Sequence, residues 1–173
     1  MHPWHDTYID ETSVSAAFPV IIEIPKGSTN KYEMDKESGL LRLDRVLHSA
    51  VYYPADYGFI PRTYCDDGDP LDALVLGQEP VYPLTIVQAR AIGVMRMRDE
   101  KGIDDKVVCV PEQDPNWNHM EVLDDLPMPL RDEISHFYAI YKQPQGIHVQ
   151  VDGWFPKEEA LKAIEEARAR AAD

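Results

Sequence analysis

The sequence predicts a mainly β fold of the α+β class, in which short strands close, or nearly close, into an antiparallel barrel. Apolar or alternating segments separated by turn residues occupy the first two-thirds of the chain. Segments with helical periodicity follow only later. With 173 residues, 44% of them hydrophobic, the chain suits one well-packed domain. We therefore expect residues 1–173 to form a single domain, with residues 1–15 as a loose N-terminal arm or interface tail.

The predicted strands follow one another with short spacings. VIIEI (20–24) is an apolar run, and KYEMDK (31–36) alternates charged with apolar residues, as a half-exposed strand does. LLRLDRV (40–46) comes after the turn signal Glu37-Ser38-Gly39. Further strands are expected in YYPADYGFIP and at residues 72–77, 84–99 and 105–111.

Two helices are expected after these strands. From Pro127, apolar side chains recur at helical spacing and would share one face: Leu130, Ile134, Phe137, Tyr138 and Tyr141. After a short strand at 147–151, the second helix starts with Pro156 and acidic residues and ends with basic ones, which suits the helix dipole. Both helices should pack on the barrel.

Charge and composition exclude several functional classes. The chain carries 17 basic and 31 acidic residues, a formal net charge of -14. Such a surface repels nucleic acids and anionic membranes, so we expect neither as a partner. No apolar run approaches the roughly 20 residues of a membrane span. Cys65 and Cys109 form no CxxC motif, and the N-terminus lacks a signal pattern, so a reduced, cytoplasmic protein is favoured.

Two clusters of aspartates are the strongest chemical signal. Asp66, Asp67, Asp69 and Asp72 crowd the segment CDDGDPLDALV (65–75), directly before an apolar run. An ordinary solvated turn is the commoner explanation of such a segment. A second cluster, Asp99, Asp104 and Asp105, lies between two other predicted strands, however. Converging carboxylates need a cation, and Mg²⁺ is the oxygen-bound ion that keeps waters for chemistry. The first cluster does not fit an EF-hand loop.

Four basic residues lie beside tyrosines or acids near predicted strand or helix ends: Lys31, Arg45, Lys106 and Lys142. Taken singly, each is more often an ordinary surface residue. Together with the acidic loops they indicate a site for a multiply charged oxyanion. Phosphate fits best, because metal ions can neutralise some of its oxygens while lysine and arginine bind the rest.

At these residues the sequence resembles the soluble family I inorganic pyrophosphatases. DGDPLDA (67–73) is similar to the aspartate signature of that family. Four more segments resemble the family in order and approximate spacing, at 22–39, 43–63, 93–106 and 136–142. The resemblance covers roughly residues 18 to 160. It implies Mg²⁺-driven hydrolysis of pyrophosphate to two phosphates, in a distorted five-stranded barrel related to the OB fold.

The resemblance also implies a role for each matching carboxylate. Asp67, Asp72 and Asp104 would hold the tightest of several Mg²⁺ ions, with Mn²⁺ or Zn²⁺ as substitutes. Asp72 would also reach a second ion, Asp99 with Asp104 a third, and Glu23 would contribute through water. Asp69 would be the general base that takes a proton from the attacking water. Asp105 would add little, and Asp56 stands where many members have asparagine.

The remaining roles concern the substrate. The two phosphoryl groups would be bound by Lys31, Arg45, Tyr57, Lys106, Tyr141 and Lys142, with Glu33 and Tyr53 supporting them from behind. Lys26 is a weaker rival of Lys31. By its length the chain resembles the bacterial hexamers of the family, so a homohexamer is expected, with His136 either at an interface or satisfied within the subunit.

Two other functions remain open at this point. One is a different metal-dependent hydrolase that acts on a larger phosphoanhydride. The other is a non-catalytic OB-type binding module whose acidic residues are structural. Its oligonucleotide-binding version requires a basic groove with exposed aromatic residues, and the net charge of -14 argues against one.

Overall fold

The computed structural model describes residues 1–10 and 13–172. In that part of the chain it contains eight strands: β1 (Phe18–Ile24), β2 (Asn30–Met34), β3 (Leu41–Val46), β4 (Asp56–Phe59), β5 (Asp72–Val75), β6 (Ile86–Asp99), β7 (Gly102–Pro111) and β8 (Gln150–Pro156). The α-helices are α1 (Pro3–Asp6), α2 (Met128–Ile140) and α3 (Lys157–Ala172). Two short 3-10 helices span Leu123–Asp125 and Gln143–Gln145.

Five strands form a closed ring in the order β1-β4-β5-β7-β6. The ring closes because the first part of β6 pairs with β1, where Phe18 lies opposite Ala89. The second part of β6 pairs with β8 outside the ring, and β2 and β3 form a separate two-stranded hairpin. The ring and the two helices of the C-terminal half confirm the predicted mainly β fold.

One strand pair corrects the prediction of an antiparallel barrel. β5 and β7 run parallel, with Asp72 opposite Lys106, whereas the other pairs are antiparallel. β6 lies between them in sequence and forms a hairpin with β7, so β7 returns in the direction of β5. This pairing places the first aspartate segment beside the end of the second.

Apolar side chains cover both faces of the ring. Leu74, Met95 and Val108 belong to a cluster that includes residues of α2. Their neighbours in sequence, Ala73 and Val94, belong to the cluster that includes α3. All seven residues of β1 are buried, which explains why every residue of this strand except Glu23 is apolar and the sequence does not alternate.

The strand predicted at 147–151 is displaced. β8 begins at Gln150, opposite Arg98 of β6, and ends at Pro156. Val149 is buried and Ile147 partly buried against the α2 cluster, so their apolar character reflects packing rather than strand pairing. Pro156 is therefore the last residue of β8, and α3 begins at Lys157.

Trp4 and Ile9, within the predicted N-terminal arm, are buried against the domain. Trp4 is 4% exposed, and its Nε1 donates a hydrogen bond to the carbonyl of Thr63 at 2.7 Å. The backbone N–H of Arg62 donates to the carbonyl of Trp4 at 2.8 Å. Residues 11 and 12 of the predicted arm lie outside the described residues.

None of the helices in the described ranges combines the length and the apolar character needed to cross a bilayer.

Candidate active site

A cleft of about 330 Å³ opens between the ring, the β2–β3 hairpin and the end of α2. It collects thirteen of the fourteen residues that the sequence analysis assigned to a site: Glu23, Lys31, Glu33, Arg45, Tyr57, Asp67, Asp69, Asp72, Asp99, Asp104, Lys106, Tyr141 and Lys142. The two predicted acidic loops therefore face one cavity, together with the predicted cations.

Lys106 lies at the centre of the cleft floor. Its Nζ is 2.6 Å from Oδ2 of Asp72 and 3.0 Å from Oδ2 of Asp104, and it donates to the Tyr57 hydroxyl at 3.3 Å. A buried ammonium is tolerated only when it is paired. Burial alone would lower the pKa of Lys106, but the Asp104 and Asp72 carboxylates raise it well above its usual range. Lys106 therefore stays charged.

Strand alternation decides which acids reach this floor. Asp104 and Lys106 of β7 point to the same face, as Asp72 does on the neighbouring β5. Asp105 points to the opposite face, where both oxygens accept hydrogen bonds from Arg96 at 2.8 and 3.1 Å. The geometry thus separates Asp105 from the cleft.

Several carboxyl groups in the cleft are disfavoured in their ionised form. Burial raises the pKa of Asp72, although Lys106 opposes the shift. Burial also raises the pKa of Asp67, with the Asp69 and Asp104 charges adding to it. The pKa of Glu23 rises to about 8 because the side chain is buried; its Oε2 accepts a hydrogen bond from the Met34 N–H at 2.7 Å. An added cation would relieve these groups.

No three of the described His, Cys, Asp and Glu side chains converge closely enough to hold a metal ion. The Lys106 ammonium instead lies between Asp72 and Asp104. The donors that face the cleft are nevertheless carboxylate oxygens, the ligands that Mg²⁺ prefers. The chemistry of these donors therefore suits a divalent cation, although Lys106 separates Asp72 from Asp104 in this arrangement.

The cations around the rim have protein partners. Lys142 is 3.0 Å from Oδ2 of Asp99, and Lys31 is 2.8 Å from Oδ2 of Asp44. Arg45 donates to Oε1 of Gln145 at 2.6 Å, while its Nε is buried without a hydrogen-bond partner in the described structure. An unpaired buried donor is costly, and an anion bound at the rim would satisfy it.

Other predicted residues lie behind the cleft or away from it. Tyr53 is buried with its ring centroid 5.9 Å from that of Tyr57 and 4.7 Å from that of Phe137, so it supports the Tyr57 wall. Lys26 donates to the carbonyl of Gly77 at 3.0 Å and is not among the cleft residues, unlike Lys31. Asp56 is also absent from the lining. Its Oδ1 accepts hydrogen bonds from the N–H groups of Lys26 and Val81.

Sequence reasoning missed one charged contact in the cleft. Lys36 Nζ lies 2.5 Å from Oδ1 of Asp69 and donates to the carbonyl of Gly68 at 3.1 Å. In the sequence Lys36 only ends an alternating segment, and nothing there distinguishes it from a solvated lysine. Its importance depends on the fold, which brings the turn after β2 to the aspartate loop.

Comparisons with known proteins agree with this geometry. A family model described as inorganic pyrophosphatase matches residues 20–172. An inorganic pyrophosphatase of Methanosarcina acetivorans is 49% identical over 151 residues, which are 87% of this chain and 90% of the relative. A soluble inorganic pyrophosphatase of Oryza sativa subsp. indica is 47% identical over 163 residues, 94% of this chain and 76% of the relative.

Solved structures give the same result. The inorganic pyrophosphatase of Thermus thermophilus is similar with a TM-score of 0.91 and 40% identity, over 96% of this chain and 97% of that chain. The inorganic pyrophosphatase of Helicobacter pylori has a TM-score of 0.92 and 40% identity, over 97% of this chain and 99% of that chain.

Proposed function

The chain belongs to the inorganic pyrophosphatase family, and from this premise we propose that its cleft hydrolyses pyrophosphate with Asp69 as the general base. The observation that carries the proposal is the convergence of thirteen matching residues on one cavity of about 330 Å³. A chain with net charge -14 would repel pyrophosphate elsewhere on its surface. Only a local concentration of cations reverses that repulsion.

The family depends on divalent metal ions, and we infer magnesium for this chain. Asp67, Asp72 and Asp104 would hold the tightest ion, Asp99 would join Asp104 at another, and Glu23 would act through water. When bound, Mg²⁺ would neutralise phosphate oxygens and lower the pKa of bound water. The raised pKa values of Asp67 and Asp72 support this assignment, because a cation would stabilise their ionised forms.

The chain's own residues account for proton transfer and charge. Asp69 would accept a proton from water as the water oxygen bonds to phosphorus, while the bond to the bridging oxygen breaks and its electron pair leaves with the second phosphate. Lys31, Arg45 and Lys142 would bind the phosphoryl oxygens once they exchange their present protein partners for substrate. Tyr57, Tyr141 and Lys106 would complete the cradle from the ring side.

The assembly and location belong to the same proposal. We expect a homohexamer, which the exposed side chains of Leu40, Leu43 and Val46 along the hairpin support, and His136 on the exposed side of α2 is available for contact. The two free cysteines support a reducing, cytoplasmic location. Light scattering on the purified protein and fractionation of its host cells would test both expectations.

Phosphate release from pyrophosphate in the presence of Mg²⁺ tests the function directly. We expect pyrophosphate to be hydrolysed in preference to tripolyphosphate and ATP, whose additional groups exceed the two phosphoryl positions of the cleft. Equal or faster release from the longer substrates would contradict a pyrophosphatase. Release from none of the three would leave only a binding role.

Asp69→Asn tests the assigned base. We expect turnover to fall by roughly two to four orders of magnitude, the usual contribution of a positioned base, with little change in the Mg²⁺ concentration needed for half-maximal activity. Asp66→Asn is the matched control, since Asp66 lies in the same loop but its side chain is 91% exposed. Turnover of the Asp69 variant close to that of the control would remove Asp69 from the base role.

A further inference from the structure

The turn that joins β2 to β3 reaches across the cleft rim to the aspartate loop. Lys36, in this turn, contacts the loop twice, through the Oδ1 of Asp69 at 2.5 Å and the carbonyl of Gly68 at 3.1 Å. One ammonium group therefore holds both the backbone of the loop and the carboxylate of the next residue. Two contacts to adjacent groups restrict orientation more than a single ion pair does.

The Asp69 carboxylate has no other side-chain partner among the described residues. The backbone of Asp69 is fixed, since its N–H donates to Oδ1 of Asp67 at 3.0 Å and its carbonyl accepts from the Cys65 N–H at 2.8 Å. Neither contact sets the rotation of the carboxylate itself. Among the side chains that the structure describes, Lys36 supplies that restraint.

The turn that carries Lys36 is itself rigid. Oδ2 of Asp35 accepts hydrogen bonds from the N–H and hydroxyl of Ser38 at 2.9 and 2.6 Å. Gly39 closes the turn with a φ of 74°, a conformation that glycine adopts without strain. Its N–H donates to the carbonyl of Asp35 at 2.8 Å. Lys36 thus projects from a fixed backbone.

The N-terminal segment supports this turn from behind. Nε2 of His2 lies 2.9 Å from the carbonyl oxygen of Lys36. A Cβ on Gly39 would come within 2.6 Å of Cδ of Pro3, so the two segments are in close contact. Trp4, which follows, bonds to the carbonyl of Thr63 just before the aspartate loop. The same short segment therefore contacts both sides of the Lys36–Asp69 bridge.

We propose that Lys36 is a positioning residue that orients the Asp69 carboxylate for catalysis, with residues 2–4 bracing the turn from which it projects. This inference depends on the proposed role of Asp69 as base. The pair is half-exposed, with Lys36 51% and Asp69 38% exposed, and such pairs contribute little to stability. Its effect is on geometry, where a displacement of about 1 Å is able to cost ~100-fold in rate.

The test is a double-mutant cycle between Lys36→Met and Asp69→Asn, with kcat, KM for pyrophosphate and Tm measured at saturating Mg²⁺. Methionine keeps the length of the side chain and removes its charge. We expect Lys36→Met to lower kcat by about 10- to 100-fold, with KM and Tm nearly unchanged. In the Asp69→Asn background it should change kcat by less than about twofold, because residues that act as a unit are not additive.

Two further variants complete the design. Lys36→Arg retains the charge and the donors, so kcat should recover to within about fivefold of the unmodified enzyme. Lys101→Met removes a charge from the same cleft without touching Asp69, and should change kcat by less than about threefold.

Each outcome decides the proposal. An equal loss of kcat in both backgrounds would show that Lys36 does not act through Asp69. A raised KM with unchanged kcat would make Lys36 a substrate-binding residue instead, and unchanged kinetics would leave it no role in catalysis. Full turnover of Asp69→Asn alone would overturn the base assignment and this inference together. Loss of turnover in Asp69→Asn together with unchanged kinetics of Lys36→Met would overturn this inference alone and leave the base assignment in place.

Discussion

The cleft has a ring wall, formed by strands of the five-stranded ring, and a hairpin wall, formed by β2 and β3. Acidic residues in these two parts of the fold have pKa values shifted in different directions. On the ring wall, burial raises the pKa of Glu23 to about 8 and raises that of Asp72. In the hairpin, hydrogen bonds from Ser38 and Arg42 lower the pKa of Asp35, in the turn outside the cleft lining, to about 2, and Lys31 lowers that of Asp44, which lines the cleft. Burial thus disfavours the ionised forms of Glu23 and Asp72, whereas hydrogen bonds and ion pairs favour those of Asp35 and Asp44. Asp99 at the end of β6 resembles the second group, because Lys142 lowers its pKa against the effect of burial.

The difference follows from how each wall is built. The ring strands are covered on both faces, so their carboxyl groups lose water and need a cation nearby. The two-stranded hairpin is open to solvent, so its acids pair with exposed lysine and arginine. The ring wall is therefore suited to attract metal ions. The cations of the hairpin wall form weak ion pairs with acids, and a phosphate could take the place of the acid as their partner at low energetic cost.

Removing a ring-wall acid should have the largest effect. Asp72→Asn leaves the size of the side chain but removes a charge next to Lys106 and a proposed metal ligand. We expect turnover to fall by about a thousandfold or more, as the loss of several kcal/mol of metal stabilisation implies. The Mg²⁺ concentration for half-maximal activity should rise, which a titration of initial rates would measure.

The same substitution should also lower stability slightly, because Lys106 keeps one carboxylate partner instead of two, a loss that relief of the buried Asp72 charge partly offsets. Breaking a buried ion pair typically costs ~3–5 kcal/mol, and the loss here should be smaller because Asp104 remains beside Lys106. Asp105→Asn is the matched control, since it removes a β7 carboxylate that faces away from the cleft. If both variants kept the same Mg²⁺ dependence, the ring wall would not be the metal-binding wall.

A hairpin-wall cation should have an intermediate effect that is confined to binding. Lys31→Ala removes an ammonium that is paired with Asp44 on the open surface, so Tm should hardly change. We expect KM for pyrophosphate to rise by roughly tenfold, equivalent to one charge-assisted hydrogen bond, with kcat lowered less. Steady-state kinetics at fixed Mg²⁺ would separate the two constants.

Lys26→Ala is the natural comparison for that variant, because Lys26 lies shortly before Lys31, between β1 and β2, but donates to the carbonyl of Gly77 outside the cleft. Equal KM values for the two variants would mean that the hairpin does not bind substrate. A changed Mg²⁺ dependence of Lys31→Ala would contradict the proposal that the ring wall binds metal ions and the hairpin wall binds phosphate.

The fold class was predictable because alternation and turn residues record local structure directly. The parallel β5–β7 pair was not, since the direction of a strand depends on the path of β6 between them rather than on its own residues. The start of β8 was misplaced for a similar reason: Ile147 and Val149 are apolar because they pack against the α2 cluster. Pairing with β6 begins only at Gln150.

The site was predictable to the extent that its residues form ordered motifs. Asp67, Asp72 and Asp104 stand in recognisable segments, and the structure brings those segments to one cleft. Lys36 was missed because its role depends on a contact with Asp69 in another loop. No local sequence pattern predicts such a contact. Strand alternation does predict one further feature of the site, because it places Asp104 and Lys106 on one face of β7 and Asp105 on the other.

The smallest expected effect is on stability and concerns two acids that take no part in the proposed reaction. Asp56 is buried on β4 of the ring, and Asp35 lies in the turn of the hairpin. Burial raises the pKa of Asp56 above its ordinary value. Its carboxyl therefore costs nothing at low pH, where it is protonated in both states, and destabilises the fold as pH rises through the folded pKa. Asp56→Asn keeps the Oδ1 acceptor for the N–H groups of Lys26 and Val81.

We expect Asp56→Asn to raise stability near about pH 8 by no more than ~1 kcal/mol, with the gain vanishing as the pH falls below the ordinary pKa of aspartate. Asp35→Asn should show the opposite sign. Because the pKa of Asp35 is lowered to about 2, its charge stabilises the fold above its ordinary pKa, and this contribution is lost on acidification. Denaturant unfolding of both variants across this pH range would measure the two curves. If both differed from the unmodified protein in the same direction, burial in the ring and exposure in the hairpin would not impose opposite states on their acids, and the electrostatic contrast between these two parts of the fold would lose its physical basis.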